Sequence, residues 1–141
     1  MKASTIIFSL LILSLISSCS CNPEGIIKYA AKGMESMIGE GFIPSDEIRQ
    51  LGDFEGMNVN LSTKKTDDVV VSTIFLKLEN GDPLILGNQP EVLARKCAEI
   101  YLRDFKNSSN YGQIIVQFLQ GDPTNPENFA MQEYTFETSD F

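Results

Sequence analysis

The sequence predicts an α+β domain, a two-layer sandwich in which two main helices cover one face of a roughly four-stranded antiparallel sheet. Two segments repeat apolar residues at the helical spacing of three and four, and four others have the alternation or β-branched composition of strands. Short polar turns separate the strands within each pair, and closely spaced strands pair antiparallel. The predicted element order is therefore α-β-β-α-β-β.

The first helix is predicted over residues 24–39, where Ile27, Met34 and Ile38 lie on one apolar stripe. Gly39 and Gly41 favour a left-handed stop after it. A short helical turn follows, capped by Ser45 and closed by Gly52, and it serves as a connector.

The first two strands are predicted to form a hairpin. From Gly56 onward, apolar Met57, Val59 and Leu61 alternate with polar residues, which indicates a strand with one solvated face. After a turn over residues 63–68, the run 69–78 is apolar on both faces and predicts a central strand. The sequence Asn80-Gly81-Asp82-Pro83 ends it.

The second helix is predicted over about residues 90–106, with Asn88 or Gln89 as cap and Pro90 in the first turn. Its buried stripe is predicted to contain Leu93, Cys97, Ile100, Tyr101 and Phe105. Two further strands, 113–120 and 129–137, flank a predicted loop over 121–128. Residues 74–83 resemble residues 114–123, and both segments end in Gly-Asp-Pro, which either an internal duplication or common turn chemistry explains.

The N-terminus has one positive charge, Lys2, before an apolar run from Ile6 to Ile16. This run is shorter than the roughly 20 residues that a membrane-spanning helix needs, so it is typical of an export signal. The residues Ile16-Ser17-Ser18-Cys19 then resemble the lipobox of bacterial lipoproteins. A plain signal peptide with a chance cysteine and an uncleaved membrane helix are the alternatives.

The resemblance to lipoproteins implies that residues 1–18 are a signal peptide that is removed and that Cys19 is lipidated. Residues 19–24 then form a lipidated tether, and residues 25–141 form one α+β domain. Two or three acyl chains, including palmitate, anchor a protein stably where one chain would not. The resemblance also implies that a protein with serine after the cysteine, here Ser20, is sorted to the outer membrane. If the cell is Gram-negative, we therefore expect a protein that is anchored to the outer membrane by its lipid and faces the periplasm.

Composition excludes several function classes. The chain has 11 basic and 19 acidic residues, a net charge of −8, which argues against nucleic acid as a partner and against attraction to anionic lipid headgroups. It has no histidine, which excludes Ser-His-Asp and Cys-His catalysis in their ordinary forms and removes the commonest zinc ligand. We therefore expect no enzyme activity, no metal site and no cofactor.

Two other cysteines, Cys21 and Cys97, remain after lipidation of Cys19. A disulfide between them is compatible with an oxidising envelope. The alternative is a buried, inert Cys97 in the second helix, because an unmodified cysteine packs like a small apolar residue. Cys21 then is a second site for a lipid or a disulfide, or has no role.

The candidate interaction face follows from the alternation of the central strand. If Ile74, Leu76 and Leu78 face the helices, the alternate residues from Val69 to Phe75 line the opposite face, alongside two residues of the third strand. They would leave an apolar patch there, which usually marks an interface. Three alternatives stay open: a reversed register, a connector (Phe42, Ile43 and Phe54) that folds over this face, or cover by Phe136 and Phe141. The candidate residues are Val69, Val71, Phe75, Ile115 and Leu119.

These observations predict a lipid-anchored cell-envelope protein that is a non-enzymatic protein-binding or accessory module. Its expected partners are the membrane, through the N-terminal lipid, and an envelope protein that contacts the open sheet face or an exposed strand edge. The alternative is a carrier or sensor of a small apolar ligand held between sheet and helices.

Overall fold

A computed structural model describes residues 32–67 and 69–141 of the 141-residue chain. The predicted signal peptide, Cys19, Cys21 and the predicted domain start at residue 25 lie outside the described residues. Met34–Phe141 forms one compact unit. After a helical segment at residues 32–38, its elements are α1 (Asp46–Gly52), β1 (Gly56–Thr66), β2 (Val69–Glu79), α2 (Pro83–Leu86), α3 (Pro90–Asp104), β3 (Gln113–Asp122) and β4 (Asn125–Glu137).

The sheet has the order β1-β2-β3-β4, which confirms the α+β class. Its outer pairs are antiparallel, but the central pair, β2 and β3, is parallel, so the prediction of a fully antiparallel sheet was wrong. Short turns close the two hairpins, whereas residues 80–112 contain α2 and α3. Such a helical crossover returns the chain to the same end of the sheet, and the next strand therefore runs parallel.

One face of the sheet forms the core with α3. Ile74, Leu76 and Leu78 of β2 are fully buried, as the alternation predicts. They are joined by Ile114, Val116 and Phe118 of β3. The helix contributes the predicted residues Cys97, Ile100, Tyr101 and Phe105, together with Ala94 and Ala98, and Leu93 is partly buried. Gln89 occupies the N-cap position of α3 without a capping side-chain hydrogen bond, and Pro90 begins the helix.

The connector between residues 39 and 55 packs on the helix side of the sheet. The ring of Phe42 lies 6.1 Å from that of Phe105, and Phe54 stacks on Phe118 at 5.7 Å. Ile48 of α1 is fully buried. The hydroxyl of Tyr101 donates a hydrogen bond of 2.8 Å to the carbonyl oxygen of Phe42, which fixes the connector against α3.

Several predicted boundaries differ from the structure. The predicted loop 121–128 is mostly strand, with a register irregularity at Gly121/Asp122 and a tight turn after Asp122. The short helix α2 was not predicted, although Asp82 caps it by accepting a 2.8 Å hydrogen bond from the backbone N–H of Leu84. Of the two main helices expected on one face, the described residues contain α3 in full and residues 32–38 of the first.

Within residues 32–67 and 69–141, no helix combines the length and the apolar character that crossing a membrane requires.

Candidate functional site

The face of the sheet opposite α3 is the candidate site, and in this article it is called the open face. The helices and the connector described above pack on the other side. Because side chains alternate along a strand, the open face is formed by the residues between the buried ones. In the rows given by the strand register, it contains Ser62, Thr73, Gln113 and Glu137, then Asn60, Phe75, Ile115 and Thr135, then Asn58, Lys77, Gln117 and Glu133, then Gly56, Glu79, Leu119 and Met131.

The structure decides between the alternatives for this face. The register is the predicted one, because Ile74, Leu76 and Leu78 are buried against the helices. Phe136 and Phe141 also lie on the helix side, where the guanidinium carbon of Arg95 is 5.8 Å and 4.8 Å from the centres of their rings. Among the described residues, the aromatic side chains proposed as a cover therefore lie elsewhere.

Phe75 and Ile115 are direct partners in the parallel β2–β3 register. Both are half-buried by their neighbours on the open face, and they form what we call the central pair. In antiparallel sheets such cross-strand contacts contribute roughly 0.2–1 kcal/mol each, and we expect a contribution of the same sign in this parallel pair.

Polar rows separate the central pair from the other predicted residues. The side-chain amide of Gln113 donates to Glu137 at 2.9 Å, in the row that lies between Val71 and Phe75. The amide of Gln117 donates to Glu133 at 2.7 Å, in the row between Ile115 and Leu119. The five predicted residues therefore lie on three separate places rather than on one continuous patch.

The first of these places is the projecting end of the β1–β2 hairpin. The β2–β3 register begins at Thr73, so the first residues of β2 extend beyond the start of β3. Val69, Val70 and Val71, which we call the hairpin end, are 61%, 59% and 39% exposed. Within the described sheet, these three residues pair with β1 alone. Sequence reasoning did not select Val70, because alternation along β2 assigns its side chain to the face that α3 covers. Its exposure of 59% indicates that α3 leaves this end of β2 uncovered.

The second place is a corner cluster at the other end of the sheet, made of Leu119, Phe129 and Met131. Leu119 is the register partner of Met131, and Phe129 is opposite Gly121, which has no side chain to cover it. Phe129 and Met131 are 63% and 52% exposed. Sequence reasoning selected only Leu119. Phe129 and Met131 lie within the predicted strand 129–137, but their position beside Leu119 follows from the β3–β4 register, which the sequence alone did not give.

A cleft of about 740 Å³ lies where β2 and β3 end, and both Gly-Asp-Pro segments line it. The residues that resemble each other forty positions apart are also Cα partners in the parallel register, from Ile74 with Ile114 to Glu79 with Leu119. β2 ends at Glu79, whereas β3 continues past its partner Leu119 to Asp122. Gly-Asp-Pro begins α2 in the first segment and the β3–β4 turn in the second, so the shared residues suit the local backbone in both places.

Three carboxylates that line this cleft, those of Glu55, Asp82 and Asp122, have local hydrogen-bond partners. Glu55 accepts a hydrogen bond of 2.8 Å from the side chain of Asn80. Asp122 accepts hydrogen bonds from the backbone N–H and the hydroxyl of Thr124 at 2.8 Å and 2.6 Å, and these bonds lower the pKa of its carboxyl. These contacts, together with the N-cap at Asp82, indicate that the role of these acidic side chains is to end strands and to begin turns.

Three further features of the described part of the chain concern metal binding, the thiol of Cys97 and a second, smaller cleft. No group of three or more histidine, cysteine, aspartate or glutamate side chains is placed to hold a metal ion there. Cys97 is buried and not in a disulfide, and burial raises the pKa of its thiol to about 12. An apolar cleft between α2 and β4 measures about 220 Å³, below the roughly 300–1,000 Å³ of typical small-molecule pockets.

No protein-family model matches this chain, and neither the curated proteins nor the solved structures that were searched include a similar one.

Proposed function

We propose that this protein is a lipid-anchored, non-enzymatic protein of the bacterial cell envelope that binds a partner protein by strand addition at the hairpin end. The observation that carries this proposal is the projection of β2 beyond β3. Three consecutive exposed valines there have a backbone edge that the described sheet does not use.

The chemistry of the hairpin end favours an extended protein segment as its partner. An unused strand edge offers backbone N–H and C=O groups for hydrogen bonds, and a peptide that adds to the edge satisfies them. Valine has a high preference for strands, so the segment is already in the conformation that binding requires. Exposed β-branched residues beside an open edge are otherwise a risk for aggregation, which a bound partner removes.

Anchoring rests on the lipobox-like sequence that ends at Cys19. A lipid on Cys19 would keep the protein at a membrane surface without any membrane-spanning segment. In a Gram-negative cell we place it at the outer membrane facing the periplasm, as the serine after Cys19 suggests. No observation favours the apolar-ligand carrier over a protein-binding module.

The test is site-specific photo-crosslinking in intact cells. A photoreactive amino acid replaces Val69 in one strain and Val92 in another. Val92 is a matched control, because it is 60% exposed but lies on α3. We expect one envelope protein to crosslink from position 69 and not from position 92.

A second variant separates loss of binding from loss of folding. Val69→Lys/Val71→Lys places charges on the open-face side of the hairpin end, where both wild-type side chains are exposed, so thermal unfolding should change little. For this comparison the photoreactive amino acid replaces Val70, first in the otherwise wild-type protein, where we expect the same crosslink, and then in the double variant, where the crosslink should disappear. Equal crosslinking from positions 69 and 92, or a crosslink that persists in the folded double variant, would contradict the proposal.

A further inference from the structure

The helical segment that ends at residue 38 has two different sides. Glu35 and Ile38 are half-buried, and Ile38 packs against the core. Met34 and Met37, which we call the outer pair, are 46% and 89% exposed. Residues three apart lie on the same side of a helix, so the outer pair forms an apolar spot that the rest of the domain leaves uncovered.

The end of this helix is fixed to the domain. The side-chain amide of Asn107 donates a hydrogen bond to the carbonyl oxygen of Ile38. Gly41 approaches the end of α3 so closely that a Cβ atom there would lie 1.9 Å from the carbonyl oxygen of Asp104. The outer pair therefore belongs to the compact unit Met34–Phe141, and a surface that contacts it orients the whole unit.

Helical spacing continues the apolar side toward the N-terminus. Ile26 and Ala30 precede Met34 by about two turns and by one turn. Residues 24–31 lie outside the described residues, but the predicted helix starts only five residues after Cys19, a stretch of at most about 18 Å when fully extended. The acyl chains proposed on Cys19 thus bring a membrane surface close to this side of the helix.

The charge of the segment also suits a lipid surface. Residues 25–34 contain Lys28 and Lys32 and no acid, although the net charge of the chain is −8. The two lysines are one helical turn apart and lie opposite the apolar side by helical spacing. One apolar side and one side with lysines are typical of helices that lie in the membrane interface.

The size of the outer pair favours lipid over a protein partner. A stable protein interface buries roughly 1,200 Å² or more and requires a complementary shape, which two methionines do not provide. A fluid lipid surface requires no such shape, and the flexible methionine side chain adapts to irregular surroundings.

We infer that the outer pair, Met34 and Met37, inserts at the boundary between the headgroups and the acyl chains and so sets the orientation of the domain on the membrane. This inference rests on the lipid anchor of the function proposed above. The acyl chains retain the protein at the membrane, because two methionines bury far less apolar surface than they do, and the outer pair determines which side of the domain faces the bilayer.

The test uses tryptophan fluorescence, since the chain contains no tryptophan of its own. Met37→Trp probes the outer pair, and Val92→Trp is the control at an exposed position of α3. Both proteins are produced with their lipid in a bacterial host. They are then placed in vesicles of phosphatidylcholine and phosphatidylglycerol whose brominated acyl chains quench a tryptophan that contacts them. We expect quenching of Met37→Trp to exceed that of Val92→Trp about fivefold, because only the first probe reaches the acyl chains.

A charge on the apolar side should abolish this contact. Met34→Asp in the Met37→Trp protein places a carboxylate beside the probe, so quenching should fall to the level of Val92→Trp. Ser36→Asp adds the same charge at an exposed position on another side of the helix and should leave the quenching unchanged. Both positions are exposed, so thermal unfolding should change little and shows that the variants are folded.

Vesicle flotation separates failure of this inference from failure of the anchor. If Met37→Trp does not float with the vesicles, the lipid anchor is wrong and the inference falls with it. If the protein floats but positions 37 and 92 are quenched equally, or if Met34→Asp changes nothing, the inference is overturned and the anchor stands. A fluorescence blue shift of Met37→Trp that grows with protein concentration in the absence of vesicles would also overturn it, because a second copy then covers the outer pair.

Discussion

At the residue scale, Tyr101 links the segment between residues 39 and 55 to α3 and to the core. Its side chain is fully buried on α3, its ring lies 5.7 Å from that of Phe105, and its hydroxyl donates to the carbonyl oxygen of Phe42. A buried carbonyl without a donor is costly, because it has lost its water without gaining a partner. The hydroxyl therefore matters more than its single hydrogen bond suggests.

Tyr101→Phe should lower the free energy of unfolding by about 1–2 kcal/mol, since it leaves the Phe42 carbonyl without this donor. Urea unfolding followed by circular dichroism measures the effect. Tyr134→Phe is the control: this residue is only partly buried, and we expect a change within about 0.5 kcal/mol. Equal effects of the two substitutions would show that the Tyr101 hydrogen bond contributes nothing specific.

Cys97 and Tyr101 make stability sensitive to high pH. Burial raises the pKa of the Cys97 thiol from 9.0 to about 12, and burial together with nearby Tyr111 raises the pKa of Tyr101 above its usual 10.0. Above about pH 9 the unfolded chain loses the thiol proton while the folded chain keeps it. Unfolding then releases protons, so the free energy of unfolding falls as the pH rises.

We expect this loss to begin near pH 9 and to continue toward pH 12, at up to about 1.4 kcal/mol per pH unit for each group. Urea unfolding over this range measures it. Cys97→Ala lacks the thiol. As the pH rises, the free energy of unfolding of this variant should therefore change little until the Tyr101 hydroxyl begins to titrate in the unfolded chain. If wild type and Cys97→Ala have the same slope between about pH 9 and pH 10, the thiol is not the cause.

At the scale of elements, α3 organises the fold. It supplies the buried stripe that covers the sheet, and it forms the crossover that makes β2 and β3 parallel. Its two faces differ sharply, since Ile100 is 4% exposed and Val92 is 60% exposed. Substitutions on the two faces of this helix should therefore differ in effect.

Ile100→Asp should unfold the domain, because a buried carboxylate without a partner costs several kcal/mol. Val92→Asp makes a comparable change on the exposed face of the same helix and should leave the fold intact. Circular dichroism and size-exclusion chromatography distinguish these outcomes. A soluble, folded Ile100→Asp protein would contradict the position of this side chain in the core.

The hairpin end is exposed because β2 and β3 are offset along the sheet. The two strands have 11 and 10 residues, but their pairing begins at Thr73 and Gln113, so residues 69–72 lie before the start of β3. The register of the parallel pair, rather than strand length or a special sequence motif, therefore exposes the hairpin end.

At the scale of the whole molecule, the proposed function combines a lipid anchor with an exposed strand edge at the hairpin end. The net charge of −8, with no basic residue in β4, disfavours attraction to anionic headgroups, so we expect membrane attachment to depend on the lipid alone. Lipidation and folding should then be separable.

Cys19→Ala should leave the folded domain unchanged and release the protein from the membrane fraction, because it removes the proposed acylation site. Cell fractionation and metabolic labelling with a palmitate analogue measure this. Cys21→Ala is the matched control and should remain labelled and membrane-bound. Release of Cys21→Ala, or retention of Cys19→Ala, would refute lipidation at Cys19.

The sequence by itself determined the α+β class, the predicted α3 stripe and the face of β2 that is buried. These features are local: alternation on Ile74, Leu76 and Leu78, and helical spacing from Cys97 to Tyr101, assign each side chain to a face before any long-range contact is known.

Only the tertiary structure decided the direction of the central strand pair and the division of the open face. Strand direction depends on how the crossover through α3 packs, which no local pattern encodes. The separation of Val69 and Val71 from Phe75, and of Leu119 from Ile115, depends on the register between strands. Register joins residues about forty positions apart, so the exposed edges appear only when all four strands are in place.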